Sequence, residues 1–290
     1  MVVVNYDTSD DVVAVLQGLD DPRLEVVVVD NASGQPPPVS TPNAQLLQLP
    51  TNAGWARGCN AGAVATTTPV LAFVNPDARP SADALLALAE SLGDPSVGAV
   101  APHFLNPDRS PQAFYFRFPG VIGGLFCFLP AGQRLDHVIG SPFIRHRTYD
   151  FGKSVPVEVD QPGAACLLLR RDDFMAMGGF DEDMFLFFAD TDMCRRLKRQ
   201  GKRVVVRSDV EVVHEGGASV RRLPVAAMRE QFQRDYVTYL KRNHGRAAVA
   251  VTKVAALVLS GLLPAVWHLL RLRPRSSVEQ LRMTMHVVRS

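Results

Sequence analysis

The sequence predicts an α/β protein: an open sheet flanked by helices, followed by a helical C-terminal extension. Three observations lead there. The runs Val2-Val3-Val4 and Val26-Val27-Val28-Val29 are β-branched without polar alternation, which marks strands covered on both faces, as in a parallel sheet. Such runs alternate with helical stretches of about a dozen residues. From residue 223 onward the pattern is helical to the end, and the charge changes sign there. Residues 221–290 hold 13 Lys and Arg against 3 Asp and Glu, a net +10, whereas residues 1–220 hold 18 against 26, a net −8.

Element by element, a strand is predicted over 2–6 and a helix over 9–19, with Ser9 as its N-cap. The strand 24–29 ends at Asp30, and 31–41 is a loop rich in Pro, Ser and Gly. A third strand spans 46–49, a helix 55–65, a fourth strand 70–74, a helix 81–92 and a strand 97–101. Residues 103–155 lose this rhythm and carry aromatics, Pro and Gly; an irregular insert of that length is commonly functional. Strands return over 155–160 and 165–170, a helix over 190–200, and strands over 204–207 and 210–214.

With 290 residues, 47% hydrophobic and 21% charged, the chain is of ordinary globular composition. Wholesale disorder, collagen and a disulfide scaffold are excluded. The mean hydropathy of +0.05 is slightly high for a soluble enzyme, but no run of 18 apolar residues exists, so no spanning helix is expected. Met1 runs directly into valines with no basic segment, so no secretory signal is expected. Cys59, Cys127, Cys166 and Cys194 form no Cys-x-x-Cys pair and read as reduced thiols of a cytoplasmic chain.

Five segments carry chemistry. Asp30-Asn31-Ala32-Ser33 follows the second strand, where ligands of open α/β sheets bind; Asp30 there can accept from a base N–H or a ribose hydroxyl, or the cluster is simply an Asx turn. Asn52-Ala53-Gly54-Trp55-Ala56-Arg57-Gly58-Cys59-Asn60-Ala61-Gly62 spaces its glycines by four, unlike a dinucleotide fingerprint. It either opens a helix toward phosphate or packs that helix closely on the sheet. Asn75-Pro76-Asp77 ends the fourth strand with a carboxylate able to hold a divalent cation together with a diphosphate, or is an ordinary turn. Asp190-Thr191-Asp192, after Gly178-Gly179-Phe180-Asp181-Glu182 and an aromatic run, opens a helix whose dipole favours anions; the carboxylates are a general base or only caps. His214, ahead of Glu215-Gly216-Gly217-Ala218-Ser219, is a metal ligand, a phosphate donor, or a structural or solvent-facing ring.

Taken together, in order and spacing, these segments resemble the family-2 inverting glycosyltransferases of GT-A fold, and within them the bacterial rhamnosyltransferase-like branch. Gly163-Ala164-Ala165 ahead of Arg170-Arg171 matches as well, and the likeness runs from about residue 2 to 245. It implies a GT-A-like open mixed sheet in a catalytic domain over 1–222, with a nucleotide-binding half (1–102) and an acceptor-binding half (103–222), and an extension over 223–290. It implies that Asp30 reads the nucleotide base with Asn31, Asn52 and Asn60 nearby, and that Asn75 and Asp77 stand in the Asp-x-Asp place. Asp77 and His214 would hold Mg²⁺ or Mn²⁺, Asp190 would deprotonate the acceptor hydroxyl, and Gly163, Ala164 and Asp192 would line the acceptor site.

Two departures are visible. Ala189 stands where the family usually has Glu, and Asn75 replaces the first Asp, as is common in the rhamnosyl branch. The implied activity is metal-assisted single displacement, moving L-rhamnose from a dTDP donor to a polyprenyl-linked cell-envelope glycan. The alternatives are a UDP-hexose or UDP-galactofuranose transferase, and a catalytically silent nucleotide-sugar-binding or scaffold protein. The tail adds a membrane expectation. Residues 247–270 are mostly apolar but interrupted by Lys253, Pro264 and His268, and flanked by Arg242, Arg246, Arg271, Arg273 and Arg275. That pattern suits a basic amphipathic helix lying at the inner face of the plasma membrane. Nucleic acid is not an expected partner, because the arginines are not interleaved with stacking aromatics.

Overall fold

The computed structural model describes residues 1–112, 114–121, 156–216 and 224–262. The chain divides into two compact units, one built on Met1–Phe116 and His146–Pro224, the other on Arg117–Arg145 and Val225–Ser290. The larger unit is organised on β1 (Val2–Asn5), β2 (Val26–Asp30), β3 (Ala44–Gln48), β4 (Val70–Val74), β5 (Ala78–Arg79), β6 (Val97–Leu105), β7 (Tyr115–Phe116), β8 (Val157–Glu158), β9 (Gln161–Pro162), β10 (Cys166–Arg170) and β11 (Arg203–His214). Its helices are α1 (Ser9–Gln17), α2 (Trp55–Val64), α3 (Ala82–Glu90), α4 (Arg171–Ala176) and α5 (Ala189–Arg199).

Among the described residues the main sheet has the order β3-β2-β1-β4-β10-β6-β11-β5, with β8 also on β11. β1, β2, β3 and β4 run parallel. β10 lies antiparallel between β4 and β6, and β11 runs parallel to β6. The valines of β1 and β2 are buried, as runs without alternation require, and each such side chain contributes about 1.5–3 kcal/mol on burial. The strand order reverses between β1 and β4, so the ligand crevice of this topology lies at the carboxyl ends of β1, β2 and β4.

Two local expectations change. Ser9 is not the N-cap of α1: Thr8 holds that position, and the Ser9 hydroxyl donates instead to the Gln35 carbonyl at 2.8 Å. The strands expected over 204–207 and 210–214 are one strand, β11, whose register on β6 shifts between Arg207 and Glu211. Arg207 bridges the irregularity, pairing with Asp209 at 2.7 Å and donating to the Ala87 carbonyl of α3 at 3.0 Å. Of the irregular insert, the part over 122–155, with Cys127, lies outside the described residues; the part before it forms β7, which pairs with β9.

The smaller unit carries α6 (Val225–Ala256), which is broken at Gly245, where φ is 84°. Tyr236, Tyr239 and Leu240 are buried, and the Tyr236 hydroxyl donates to the Gly120 carbonyl. A π-helical turn, Leu257–Leu262, follows. No helix among the described residues is long and apolar enough to cross a membrane. The arginines expected to flank the apolar stretch at 271, 273 and 275 lie outside the described residues.

Candidate active site

Asp30 ends β2 only 2% exposed. Its Oδ1 accepts from the Asn5 side chain at 2.8 Å and its Oδ2 from the Ser33 amide at 3.3 Å. Asn5 in turn accepts from both the amide and the hydroxyl of Thr8. Asp7 and Ala32, just beyond β1 and β2, both have left-handed backbone, with φ of 54° and 60°. Strain of this kind is held only where surroundings over-determine it, and it gathers at functional edges.

Asn31 donates to Asn52 Oδ1 at 2.9 Å and to the Gly54 carbonyl at 3.1 Å, and accepts from the Ala53 amide at 2.8 Å. It therefore ties Asn52 to the end of β2, and these two expected residues do come together beside Asp30. The glycine-spaced helix answers the question its sequence left open. A Cβ on Gly58 would stand 2.8 Å from Val4, and one on Gly62 would stand 2.3 Å from Val2, so these two glycines seat α2 on the sheet. Gly54 serves differently. Its φ is 88° and ψ 168°, and a Cβ there would meet the Phe185 carbonyl oxygen at 2.4 Å. That carbonyl accepts from the Trp55 amide at 2.7 Å, so the first amide of α2 serves the chain rather than a phosphate.

Gly54→Ala is therefore expected to cost about 2–5 kcal/mol, combining a backbone region open only to glycine with overpacking. Gly201→Ala, at φ 76° with nothing within 4 Å, should cost only about 1–2 kcal/mol. Urea unfolding of the two variants measures the difference.

The Asn60 side chain donates to the Phe180 carbonyl at 2.9 Å and to Glu182 at 3.1 Å, and accepts from the Phe180 amide at 2.9 Å. It clamps the Gly178-Gly179-Phe180 turn. Asp192, on α5, is linked to the same turn through Arg196. It is buried and pairs with Arg196 at 2.7 Å, and Arg196 donates to the Met177 and Gly179 carbonyls at 2.9 and 2.8 Å. The pair braces the same turn.

Asp190, two residues earlier on α5, is differently placed. Phe188 at the helix entrance has φ 67° and turns the chain so that the Asp190 carboxylate meets the strip 163–165. Its Oδ2 accepts from the Ala164 amide at 3.1 Å and its Oδ1 from the Thr191 amide at 2.8 Å. The Thr191 hydroxyl donates to Gln161 Oε1 at 3.1 Å, locking this end of the helix. Burial raises the Asp190 pKa above its ordinary value, and the two amides offset part of the rise. Ala189 is buried and packs into the interior.

The strip 163–165 links Asp190 to the end of β4, since the Asn75 amide donates to the Ala165 carbonyl at 2.9 Å. Beyond Asn75, Asp77 lies 3.4 Å from His214 Nε2 through its Oδ1. The Glu215 amide donates to the Asp77 carbonyl at 2.9 Å, and His214 pairs with Ala78 across β11 and β5. His214 is 3% exposed. The Phe114 ring lies 4.8 Å from its ring, and Phe114 occupies the space a Cβ on Gly163 would need, 1.9 Å away. The sheet edge thus gathers Asp30, Asn31 and Asn52 on one side of β1, and Asn75, Asp77, Gly163, Ala164, Asp190 and His214 on the other. Asn5, Gln112 and Phe114 join them unforeseen; the last two come from the insert, where no periodicity signals a role.

Among the described residues no three His, Cys, Asp or Glu side chains converge on a metal position. Asp77 and His214 do form a two-residue donor set. One carboxylate and one imidazole, buried and facing each other, suit Mg²⁺ or Mn²⁺ when phosphate oxygens complete the coordination.

Two family models cover nearly the whole chain: "Glycosyl transferase family 2" matches residues 3–135 and "Glycosyl transferase family group 2" residues 145–288. This chain belongs to glycosyltransferase family 2. Among the relatives of this glycosyltransferase is an N-acetylglucosaminyl-diphospho-decaprenol L-rhamnosyltransferase of Mycobacterium tuberculosis, 28% identical over 280 residues and covering 87% of both chains. A pre-mycofactocin glycosyltransferase of the same organism is 28% identical over 260 residues, covering 85% of this chain and 47% of the relative. Two solved structures share the fold. A mannosyltransferase of Pyrobaculum calidifontis in complex with GDP-Man and Mn²⁺ matches at TM-score 0.52 and 17% identity, over 99% of this chain and 84% of its own. GalNAc-T7 with UDP, GalNAc and Mn²⁺ matches at 0.52 and 13%, over 85% and 50%. The mixed, helix-flanked sheet of the glycosyltransferase is the GT-A-like arrangement expected from its sequence.

Proposed function

We propose that this glycosyltransferase moves L-rhamnose from dTDP-rhamnose to a polyprenyl-linked cell-envelope glycan, inverting the anomeric centre in a single displacement. The observation that carries the reading is the Asp190 carboxylate, held by the Ala164 and Thr191 amides on the strip that leads to Asp77 and His214. The relative whose name specifies rhamnosyl transfer to a decaprenyl-diphosphate sugar, aligned over most of both chains, supports the choice of donor and acceptor.

In this reading Asp30 accepts from the nucleotide, with Asn31 and Asn52 shaping the loop beside it and Asn75 at the diphosphate. Asp77 and His214 would hold Mg²⁺ or Mn²⁺, which would supply positive charge to the leaving diphosphate. Gly163 and Ala164 line the acceptor site. Asp190 takes the proton of the attacking hydroxyl from the side opposite the leaving group, so the chain needs no covalent nucleophile. The division into a catalytic part, 1–222, with nucleotide-binding (1–102) and acceptor-binding (103–222) halves, and an extension, 223–290, is part of the proposal.

Contact of that extension with the inner face of the plasma membrane is supported by its net charge of +8 and by a row of exposed apolar residues, Val251, Val254, Val258 and Leu262. An apolar stripe with basic flanks is the pattern of an interfacial helix.

The test is transfer to a polyprenyl-diphosphate-linked sugar across a panel of dTDP- and UDP-sugars, with and without Mg²⁺ or Mn²⁺. Metal-dependent formation of an inverted rhamnoside supports the reading. Preference for a UDP-hexose replaces the donor, and nucleotide-sugar binding without turnover on any acceptor points to a scaffold.

A further inference from the structure

We propose that Gln112 is a positioning residue that sets the histidine of the cation site in its ligating form. The inference rests on the reading of Asp77 and His214 as that site. Gln112 comes from the insert after β6, and all of its side-chain amide is engaged. Its Nε2 donates to the His214 carbonyl at 3.0 Å and to Asn106 Oδ1 at 3.1 Å. Both of those partners are acceptors, so the amide orientation is determined, and Oε1 is the atom that faces His214 Nδ1 at 2.7 Å. A carbonyl oxygen accepts and cannot donate, so Nδ1 carries the proton of the ring. The lone pair of the neutral ring then sits on Nε2, the nitrogen that faces Asp77 Oδ1 at 3.4 Å.

In that tautomer the Nε2 lone pair and the Asp77 carboxylate oxygen face each other as two donor atoms of the kind a divalent cation takes. Gln112 thus makes the pair a receptor for a cation. It does so while gripping the backbone of the same histidine, so ring rotation and ring tautomer are held by one side chain. Phe114, two residues on, closes the other side of the ring at 4.8 Å. Outer partners of this kind change metal affinity by about 10–100-fold when removed.

Two measurements test the assignment. In metal-free protein in alkaline buffer, long-range nitrogen–proton NMR of the histidine rings should show His214 as the Nδ1–H tautomer; the Nε2–H tautomer overturns the proposal. Mn²⁺ binding in the presence of dTDP, followed by the electron spin resonance of the free ion, should weaken about 10–100-fold in Gln112→Met. Gln112→Glu, which keeps an acceptor for Nδ1–H, should recover a large part of that loss. Affinity unchanged within about twofold in Gln112→Met also overturns the proposal. If wild-type protein takes up no Mn²⁺, the reading of Asp77 and His214 as a cation site fails. The tautomer of the wild-type ring then decides the Gln112 assignment alone, upholding it as Nδ1–H and overturning it as Nε2–H.

Discussion

Asp190→Asn should lower turnover by ~10²–10⁴, the contribution of a positioned base, while leaving nucleotide-sugar affinity unchanged. Titration calorimetry with the donor and a transfer assay separate the two quantities. The variant should fold. Both carboxylate oxygens accept an amide hydrogen bond, so an asparagine keeps one and loses the other, at about 1 kcal/mol. Asp192→Asn provides the contrast on the same helix. It weakens the buried pair with Arg196 and should cost about 1–3 kcal/mol of stability, with near-normal turnover per folded molecule. Reversal of these two phenotypes would move the base by two residues.

The pH profile carries the same assignment. A general base works ionised, and burial raises the Asp190 pKa. Activity should therefore fall as pH drops through a value above the ordinary carboxylate range, and the fall should begin at higher pH than for an exposed aspartate. Loss of this acid limb in the residual activity of Asp190→Asn identifies the titrating group. An acid limb that persists unchanged in the variant assigns the titration elsewhere.

Asp77→Ala should weaken donor binding by ~10²-fold when Mn²⁺ is saturating, equivalent to about 3 kcal/mol for a charge-assisted ligand lost from a buried site. In the presence of a chelator, wild-type and variant should bind the donor equally weakly, because the carboxylate then has no cation through which to act. Asp77→Asn, nearly the same shape, should resemble the alanine variant. Full donor affinity in either variant at saturating metal would remove Asp77 from the cation site. Donor titrations with and without chelator supply all four comparisons.

Both predictions concern residues whose chemical type was legible in the sequence. The valine runs declare themselves as buried strands because only a sheet covered on both faces accommodates them, and Asp30 and Asn75-Pro76-Asp77 stand at strand ends for that reason. Asp190 declares itself as a helix-opening carboxylate. What a linear chain could not express is direction. Asn60 and Asp192 have the same chemistry as the residues of the site, and their side chains are engaged by the Phe180 backbone and by Arg196 respectively. The glycines of α2 presented two readings of one spacing, and the distances to Val2, Val4 and Phe185 chose packing.

By itself the sequence determined the alternation of strands and helices, the polar residues available at the strand ends and the basic character of the extension, because these follow from local periodicity and composition. Tertiary structure alone decided that Gln112 and Phe114 enclose His214, that Ala164 holds Asp190, and that Asp77 faces an imidazole 137 residues away. Such contacts join segments far apart in the chain, and their energies depend on distance and desolvation, which no stretch of sequence contains.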